Sequence, residues 1–117
     1  MSIQRFHQNH NMSKYVIHDK TVYMSGQVAA DPSHDFAHQL RQILEQIDKQ
    51  FIDIGIDRSH ILRAMIWIDD YKKWPQLNEI WNEWLPQNQK PARSCIEAKL
   101  AFPEYQVEVE ITAALPA

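Results

Sequence analysis

The chain has 117 residues, a formal net charge of −3 and a pI of about 6.0. A chain of this length forms one domain that buries about two thirds of its unfolded surface, so we expect a single domain over residues 1–117. Its lysines and arginines are dispersed along the sequence. This distribution argues against a nucleic-acid partner, which would require a basic surface.

The single cysteine, Cys95, excludes a disulfide within the chain. The sequence does not open with a basic segment that leads into an apolar one, as a secretory signal would. Its longest apolar stretch, residues 64–68, is far shorter than the roughly 20 residues that cross a bilayer. We therefore expect a soluble, cytoplasmic protein with no membrane partner.

Three short strands are predicted in the first part of the chain. Residues 2–6 form the first, and residues 14–18 and 21–25 form a hairpin around the two-residue connection Asp19-Lys20. Helical spacing begins at Phe36, after start signals at residues 31–33. The apolar residues of this first helix are Phe36, Leu40, Ile43, Leu44, Ile47 and Phe51, and Gly55 is the expected stop.

The second part of the chain alternates between strand and helix. Residues 61–68 are apolar on both faces of a predicted strand, which is typical of a central strand. Residues 73–85 form the second predicted helix, whose apolar stripe is Trp74, Leu77, Ile80, Trp81 and Trp84. Two further strands, residues 93–100 and 105–115, complete the pattern.

Two helices cover one face of such a sheet and leave the other uncovered. Because side chains alternate along a strand, Arg93 shares a face with Cys95, and Glu108 shares a face with Glu110. The residues expected on the uncovered face are Arg93, Cys95, Glu97, Glu108, Glu110, Met65 and Trp67. That mixture is too apolar for a wet surface and too charged for a dry core, which predicts a homo-oligomer packed through this face. A monomer with a wet sheet face is the alternative.

The polar residues of the last two strands have more than one interpretation. Arg93 is either a clamp for a substrate carboxylate or the partner of Glu108 or Glu110 in an ion pair between subunits. Periodicity alone does not distinguish the two glutamates. A lone cysteine such as Cys95 is more often an inert small apolar residue than a nucleophile.

A pair of histidines, His34 and His38, lies four residues apart at the start of the first helix. The spacing is that of a zinc-binding His-Glu-x-x-His helix, but the acid here is Asp35 and the sequence offers no third ligand. We therefore expect no metal site. The histidines are better explained as an exposed first helical turn.

Four motifs resemble the RidA (YjgF) family of small trimeric enamine/imine deaminases. They are Ser25-Gly26-Gln27, Pro91-Ala92-Arg93-Ser94 followed by Cys95, Val107-Glu108-Val109-Glu110, and Asn78 on the second helix. The resemblance covers nearly the whole chain. The chain departs from the family pattern at two places. The segment between residues 27 and 36 is shorter, and the Pro-Tyr pair expected ahead of the hairpin is missing, with Tyr15 as the nearest tyrosine. These differences indicate a divergent subgroup.

The resemblance implies an α+β, ferredoxin-like or chorismate-mutase-like mixed sheet of about six strands. Two helices would lie on one face, and three copies would form a barrel with sites in the clefts between subunits. Arg93 would clamp the substrate carboxylate and Glu108 would activate water. The residues expected to border the cleft are Cys95, Ser25, Gly26, Asn78 and Tyr15. No metal or organic cofactor is implied.

The reaction that the resemblance implies is hydrolysis of reactive enamines or 2-imino acids, such as 2-aminoacrylate, to 2-keto acids and ammonia. In the family this activity is that of a 2-iminobutanoate/2-iminopropanoate deaminase, a form of metabolite damage control. The alternative is a non-catalytic trimer that binds small carboxylates or a partner protein. A third reading is RNA cleavage or translation inhibition, a role assigned to some family members. The acidic charge argues against it.

Overall fold

A six-stranded sheet and two long helices make up the fold. The structure is a computed structural model that describes residues 2–117. The helices are α1 (Phe36–Ile54) and α2 (Trp74–Trp84), and short 3-10 turns at Arg58–His60 and Tyr71–Lys73 precede β4 and α2. The strands are β1 (Ile3–Phe6), β2 (Tyr15–His18), β3 (Thr21–Met24), β4 (Ile61–Ile68), β5 (Ala92–Glu97) and β6 (Val107–Ala114).

The strands are arranged in the order β1-β2-β3-β6-β4-β5. All neighbours are antiparallel except β4 and β5, which are parallel and are connected through α2. This arrangement confirms the predicted α+β mixed sheet. It leaves β5 at an edge, with one neighbouring strand among the described residues.

Helix α1 begins later than its first start signals suggested. Its N-cap is Asp35, whose carboxylate accepts a 3.0 Å hydrogen bond from the backbone N–H of His38. Residues 31–34 form the loop that leads into this cap. The predicted stop is confirmed, because Gly55 adopts a left-handed φ of 90° and donates its N–H to the carbonyl of Phe51.

Both helices cover the same face of the sheet. The stripe of α1 that the sequence predicted is buried there, together with Leu77, Ile80, Trp81 and Trp84 of α2. The strand residues beneath them include Val22, Ala64, Ile66, Ile68, Val107, Val109, Ile111 and Ala113, each at most 1% exposed. At about 2 kcal/mol for each large side chain, burial of these residues is the main favourable contribution to folding. No helix among residues 2–117 combines the length and the apolar composition needed to span a membrane.

One prediction about the sheet faces is wrong. Arg93 pairs with Ala64 and Cys95 pairs with Ile66, so the side chains of both lie on the helix-covered face. Glu97 follows the same alternation and pairs with Ile68. Alternation within a strand does not determine which set of side chains faces the helices. In β5 the apolar residue Ile96 points away from them and is 48% exposed.

The uncovered face carries the other residues that we expected there. Glu108 lies opposite Trp67, and Glu110 lies opposite Met65. Trp67, Met65 and Glu108 are half-buried and Glu110 is exposed, although neither helix covers this face. The face is therefore the mixed apolar and acidic surface that the sequence predicted, but without Arg93, Cys95 and Glu97.

Candidate functional site

The site residues predicted from the sequence, except Tyr15, fall into two separate groups. The arginine half-site consists of Arg93, Cys95, Trp74 and Asn78, on the helix-covered side of the edge strand β5. The glutamate half-site consists of Glu108, Ser25 and Gly26, beside β6 on the other side of the sheet. The two groups differ in charge, since one presents a guanidinium and the other a carboxylate.

In the arginine half-site, Arg93 is held by an aromatic ring. Its guanidinium carbon lies 5.6 Å from the centroid of the Trp74 ring, at the first residue of α2. This is the distance of a cation–π contact. Trp74 is 39% exposed, so the pair lies at the protein surface.

The Arg93 guanidinium has no acidic partner within the protomer. Among residues 2–117 its side chain takes part in none of the ion pairs or side-chain hydrogen bonds of the structure. A guanidinium has five N–H donors in one plane, arranged to match the two oxygens of a carboxylate. A half-buried arginine with these donors unoccupied is suited to bind a small anion.

Cys95 follows Arg93 on the same face and packs partly against the core. Burial raises the pKa of its thiol, and the nearby charge of Arg93 opposes that increase only in part. The thiol form is therefore favoured at neutral pH, which argues against Cys95 as a nucleophile.

Asn78 lies one helical turn after Trp74 and is half-buried. Residues four apart occupy the same side of a helix, so Asn78 extends the polar surface of α2 on the side of Trp74. The structure thus groups Asn78 with Arg93 rather than with Glu108. It supplies an amide that can donate to a ligand oxygen or accept from a ligand nitrogen.

In the glutamate half-site, the Glu108 carboxylate lies directly against Gly26. A Cβ atom at Gly26 would collide with the Glu108 carboxylate oxygen Oε2. The absence of a side chain at residue 26 is therefore what gives the carboxylate its space. Ser25, the residue before Gly26, donates a hydrogen bond from its hydroxyl to the carbonyl of Lys14 at 3.2 Å.

The structure distinguishes the two glutamates that periodicity left equivalent. Burial raises the pKa of Glu108, and the neighbouring negative charge of Glu110 raises it further. Glu110 itself is exposed. A carboxylate with a raised pKa is a stronger base, so Glu108 is the better candidate for accepting a proton from water.

The loop that carries Gly26 is fixed between β6 and α1. Gln27 donates its backbone N–H to the carbonyl of Val109 at 2.8 Å and accepts from the N–H of Val109 at 3.0 Å. Its side-chain amide donates to Gln50 of α1 at 2.6 Å and accepts from Gln46 at 3.4 Å. These bonds fix the position of Gly26 relative to Glu108, the residue before Val109.

A shallow cavity of about 410 Å³ opens beside this loop. Its lining residues are Met12, Lys14, Ser25, Gly26, Gln27, Val28, Ala30, Gln46 and Gln50. A larger groove, about 610 Å³, lies elsewhere, on the side of α1 that carries Asp48. Arg58 in that groove is already bound to Asp48 by two hydrogen bonds of 2.9 and 2.7 Å, so we assign no ligand to it.

Tyr15 lies in the core and not in either half-site. It is 4% exposed and its ring stacks on Phe6 with centroids 4.9 Å apart. Burial raises the pKa of its hydroxyl, and the charge of Asp53 contributes to the increase. The structure therefore gives no support for the substrate-binding role that the resemblance suggested for this tyrosine.

His34, in the loop before α1, and His38, in its first turn, each lie beside a carboxylate. His34 lies 3.2 Å from Asp31, and His38 lies 2.8 Å from Asp35. Within residues 2–117 there is no cluster of three or more His, Cys, Asp or Glu side chains placed to hold a metal ion. These pairs stabilise the start of the helix.

Sequence reasoning missed two contributors to the site. Trp74 belongs to the same apolar stripe of α2 as Trp81 and Trp84, so the sequence indicated packing in the core or an interface for it. Its contact with Arg93 was therefore not predicted. The glutamines that hold Gly26 were also missed. Gln46 and Gln50 recur four residues apart on α1, and that spacing is the one pattern that indicated a shared polar partner.

Comparison with known proteins agrees with this fold and with these motifs. The chain matches the family described as Endoribonuclease L-PSP over residues 2–115. It is 39% identical over 114 residues to a RutC family protein of Haemophilus influenzae, covering 97% of this chain and 98% of the relative. It is 36% identical over 113 residues to a RutC family protein of Haemophilus ducreyi, covering 97% of each.

Solved structures give the same result. A crystal structure of an uncharacterized protein from Pseudomonas aeruginosa is similar with a TM-score of 0.94 and 37% identity, covering 98% of this chain and 100% of that one. A member of the YjgF protein family from Neisseria meningitidis has a TM-score of 0.94 and 33% identity, covering 100% of this chain and 98% of that one. The chain therefore belongs to the Endoribonuclease L-PSP family, also known as the YjgF/RutC/Rid family.

Proposed function

We propose that the protein hydrolyses reactive 2-imino acids, and the enamines with which they interconvert, to 2-keto acids and ammonia. The observation that carries this proposal is the Arg93 side chain, which is half-buried, lies over the Trp74 ring and has no acidic partner in the part of the chain that the structure describes. Such a group is suited to bind the carboxylate of a 2-imino acid. Glu108, with its raised pKa, is the proposed base.

The proposed site is built from two copies of the chain. Arg93 and Glu108 lie on opposite faces of the sheet. Their strands, β5 and β6, are both neighbours of β4, so the two backbones are two strand spacings, about 10 Å, apart across the sheet. Arg93 pairs with Ala64 of β4 and Glu108 with Trp67, which places them three residues, about 10 Å, apart along the strand direction. A single protomer cannot bring the two groups to one small substrate. We place Arg93 of one protomer opposite Glu108 and Gly26 of its neighbour, in the clefts of a trimer.

The chemistry in such a cleft requires few groups. Glu108 accepts a proton from water as the water oxygen bonds to C2 of the imine, and the imine nitrogen takes a proton from solvent to give a carbinolamine. Glu108 then returns its proton to the amino nitrogen, the hydroxyl proton passes to solvent, and the C–N bond breaks with its electron pair on nitrogen, which yields the keto acid and ammonia. General acid–base catalysis typically contributes about 10²- to 10⁴-fold, and fixing the carboxylate on Arg93 adds the benefit of orientation. No cofactor takes part in this sequence.

The decisive test is Arg93→Ala in a coupled assay. An amino-acid oxidase or a dehydratase generates a panel of imines, including 2-aminoacrylate, and keto-acid formation is measured above the uncatalysed rate. We expect Arg93→Ala to abolish the acceleration while the oligomer stays intact. The matched control is Arg41→Ala, which removes an exposed arginine on α1. Unchanged turnover in Arg93→Ala would reject the proposed clamp.

A second candidate is a non-catalytic trimer that binds small carboxylates or a partner protein. The burial of Tyr15 favours it, because the tyrosine that the resemblance assigned to the site lies in the core. This candidate predicts carboxylate binding that depends on Arg93, without acceleration of any imine in the panel. The same assay combined with a direct binding measurement separates the two.

A further inference from the structure

The geometry points to Trp74 as the positioning residue that prepares Arg93 for carboxylate binding. The inference rests on the proposed function, since it concerns how the same guanidinium is presented to its ligand. Its basis is the position of the Arg93 guanidinium carbon over the Trp74 ring, 5.6 Å from the centroid, with no acidic partner for this guanidinium among residues 2–117. A contact with a ring occupies none of the five N–H donors in a hydrogen bond to an acid, so those donors stay free for a ligand.

The protein contains an internal comparison for this arrangement. Arg58 also lies over a tryptophan, with its guanidinium carbon 5.0 Å from the centroid of the Trp84 ring. It additionally forms two hydrogen bonds to Asp48 and a third, of 2.7 Å, to the carbonyl of Trp84. Three of the five N–H donors of Arg58 are therefore occupied, and its charge is paired with Asp48, so we interpret that arginine as structural. Arg93 has the aromatic contact without the acid.

The segment before Trp74 is fixed to the strand that carries Arg93. The backbone N–H of Tyr71 donates to the Glu97 carboxylate of β5 at 2.8 Å. In the same turn, Asp70 accepts from the N–H of Lys72 at 2.9 Å and Lys73 donates to Asp69 at 2.8 Å. Glu97 thus connects the start of α2 to β5, four residues beyond Arg93. The ring and the guanidinium are held by one connected piece of structure.

This arrangement keeps the positive charge uncompensated. A carboxylate that oriented Arg93 would compete directly with the substrate for the same donors. A tryptophan orients the guanidinium without that competition. Replacing Trp74 by a side chain without a ring should therefore weaken binding, and replacing it by an acid should block binding.

The experiment measures the affinity for pyruvate, as a keto-acid probe, and the steady-state constants for imine hydrolysis. We expect Trp74→Met to raise the pyruvate Kd and the KM about 3- to 10-fold with kcat within about twofold, because binding and not chemistry is affected. Trp74→Phe, which keeps a ring, should restore most of the affinity. Trp74→Glu should weaken binding more than tenfold, since its carboxylate reaches Arg93.

The control for the acidic variant is Gln76→Glu. Gln76 is exposed in the same helical turn as Trp74 but points to a different side of the helix. A glutamate at this residue therefore adds the same charge, but away from Arg93. It should leave both Kd and KM unchanged. Thermal denaturation and size measurements establish that each variant folds and assembles. If Trp74→Met does not fold, Trp74→Leu takes its place.

The outcomes separate this inference from the proposed function. If the wild-type protein binds no pyruvate and accelerates no imine in the panel, the proposed function fails. If the wild type binds pyruvate through Arg93 but Trp74→Met and Trp74→Glu bind equally well, only the positioning role of Trp74 is overturned. A fall in kcat with unchanged KM in Trp74→Met would also contradict it.

Discussion

Arg93 and Glu108 lie on opposite faces of one sheet. Arg93 shares the helix-covered face with Ala64 and Ile111, whereas Glu108 shares the uncovered face with Trp67. Among residues 2–117 neither side chain forms an ion pair, and each has an environment suited to its proposed task. Any reaction that uses both side chains therefore takes place between two copies of the chain.

The first prediction is complementation between two inactive variants. Arg93→Ala and Glu108→Gln should each be inactive alone, but mixed oligomers obtained by co-expression should regain activity. In a closed ring each site takes its arginine from one copy and its glutamate from the next, so random mixing restores about a quarter of the sites. The measurement is imine hydrolysis by the mixed oligomer, compared with the wild type and with each variant alone.

The control for this experiment mixes each variant with itself. A site contained within one protomer predicts no recovery in the mixed oligomer. Absence of recovery in oligomers shown to contain both variants would thus contradict the composite site.

The second prediction concerns pH. Glu108 must be ionised to act as a base, so kcat/KM should rise with pH through its pKa, which burial and the charge of Glu110 hold above the usual range. Glu110→Gln removes the charge and keeps the shape. We expect it to lower the pKa of Glu108 and to move the acid limb of the pH–rate profile to lower pH.

The control for the pH prediction is Glu104→Gln, which removes an exposed carboxylate outside the glutamate half-site. Its profile should match that of the wild type. An acid limb that does not move in Glu110→Gln would assign that limb to a group other than Glu108.

The third prediction concerns Gly26. A methyl group at this residue would collide with the Glu108 carboxylate, the far end of a flexible side chain. We expect Gly26→Ala to fold normally, because the carboxylate can rotate away, but to lose about 10- to 100-fold in kcat through misplacement of the base. The measurements are the melting temperature and kcat.

A double-mutant cycle tests whether the effect of Gly26→Ala acts through Glu108. In a Glu108→Gln background the substitution at residue 26 should cause little further loss, because the base is already gone. Additive losses from the two substitutions would show that Gly26 acts in another way.

The fourth prediction concerns a buried amide. Gln39 of α1 is 0% exposed, and its Nε2 lies 3.0 to 3.1 Å from three backbone carbonyls, those of Pro32, His34 and Glu104, which share its two N–H donors. Its carbonyl accepts from the N–H of Gln106 at 3.0 Å. Gln39→Leu leaves these backbone groups without their partner and should lower the free energy of unfolding by about 3 kcal/mol.

The measurement for Gln39 is chemical denaturation. Gln76→Leu, at an exposed residue of α2, is the matched control and should change stability by less than about 0.5 kcal/mol. Equal stability of the two variants would show that the backbone groups around Gln39 form other hydrogen bonds without a loss in the free energy of unfolding.

Long periodic elements were predictable from the sequence. The six apolar residues of α1 recur over more than four turns, and Gly55 ends the helix as expected. The strand predicted at residues 61–68 has the bounds of β4, because apolar residues on both faces distinguish a central strand. The ends of β5 and β6 were predicted less well. The predicted bounds extend into the loops that flank these strands, where local sequence preferences are weak.

The face of β5 was not predictable from its own residues. Its alternating residues include the apolar Ile96 on one face and Cys95 on the other, so hydrophobicity did not select the side that meets the helices. The register with β4 decides it, by placing Cys95 opposite the buried Ile66. The family resemblance predicted that Arg93 and Glu108 act together in one site. The tertiary structure was needed to show that they lie on opposite faces of the sheet in one protomer.

The parallel crossover from β4 through α2 to β5 has a consequence for how specificity can change. Residues 61–97 contain Arg93 and Trp74, whereas Glu108 and Gly26 lie outside this span. The residues proposed for anion binding and the residue proposed as the base thus lie in separate stretches of the polypeptide. A chimera that exchanges this crossover with a relative would transplant Arg93 and Trp74 and would keep Glu108 next to Gly26, but it would also replace Trp67, which lies opposite Glu108 on β4.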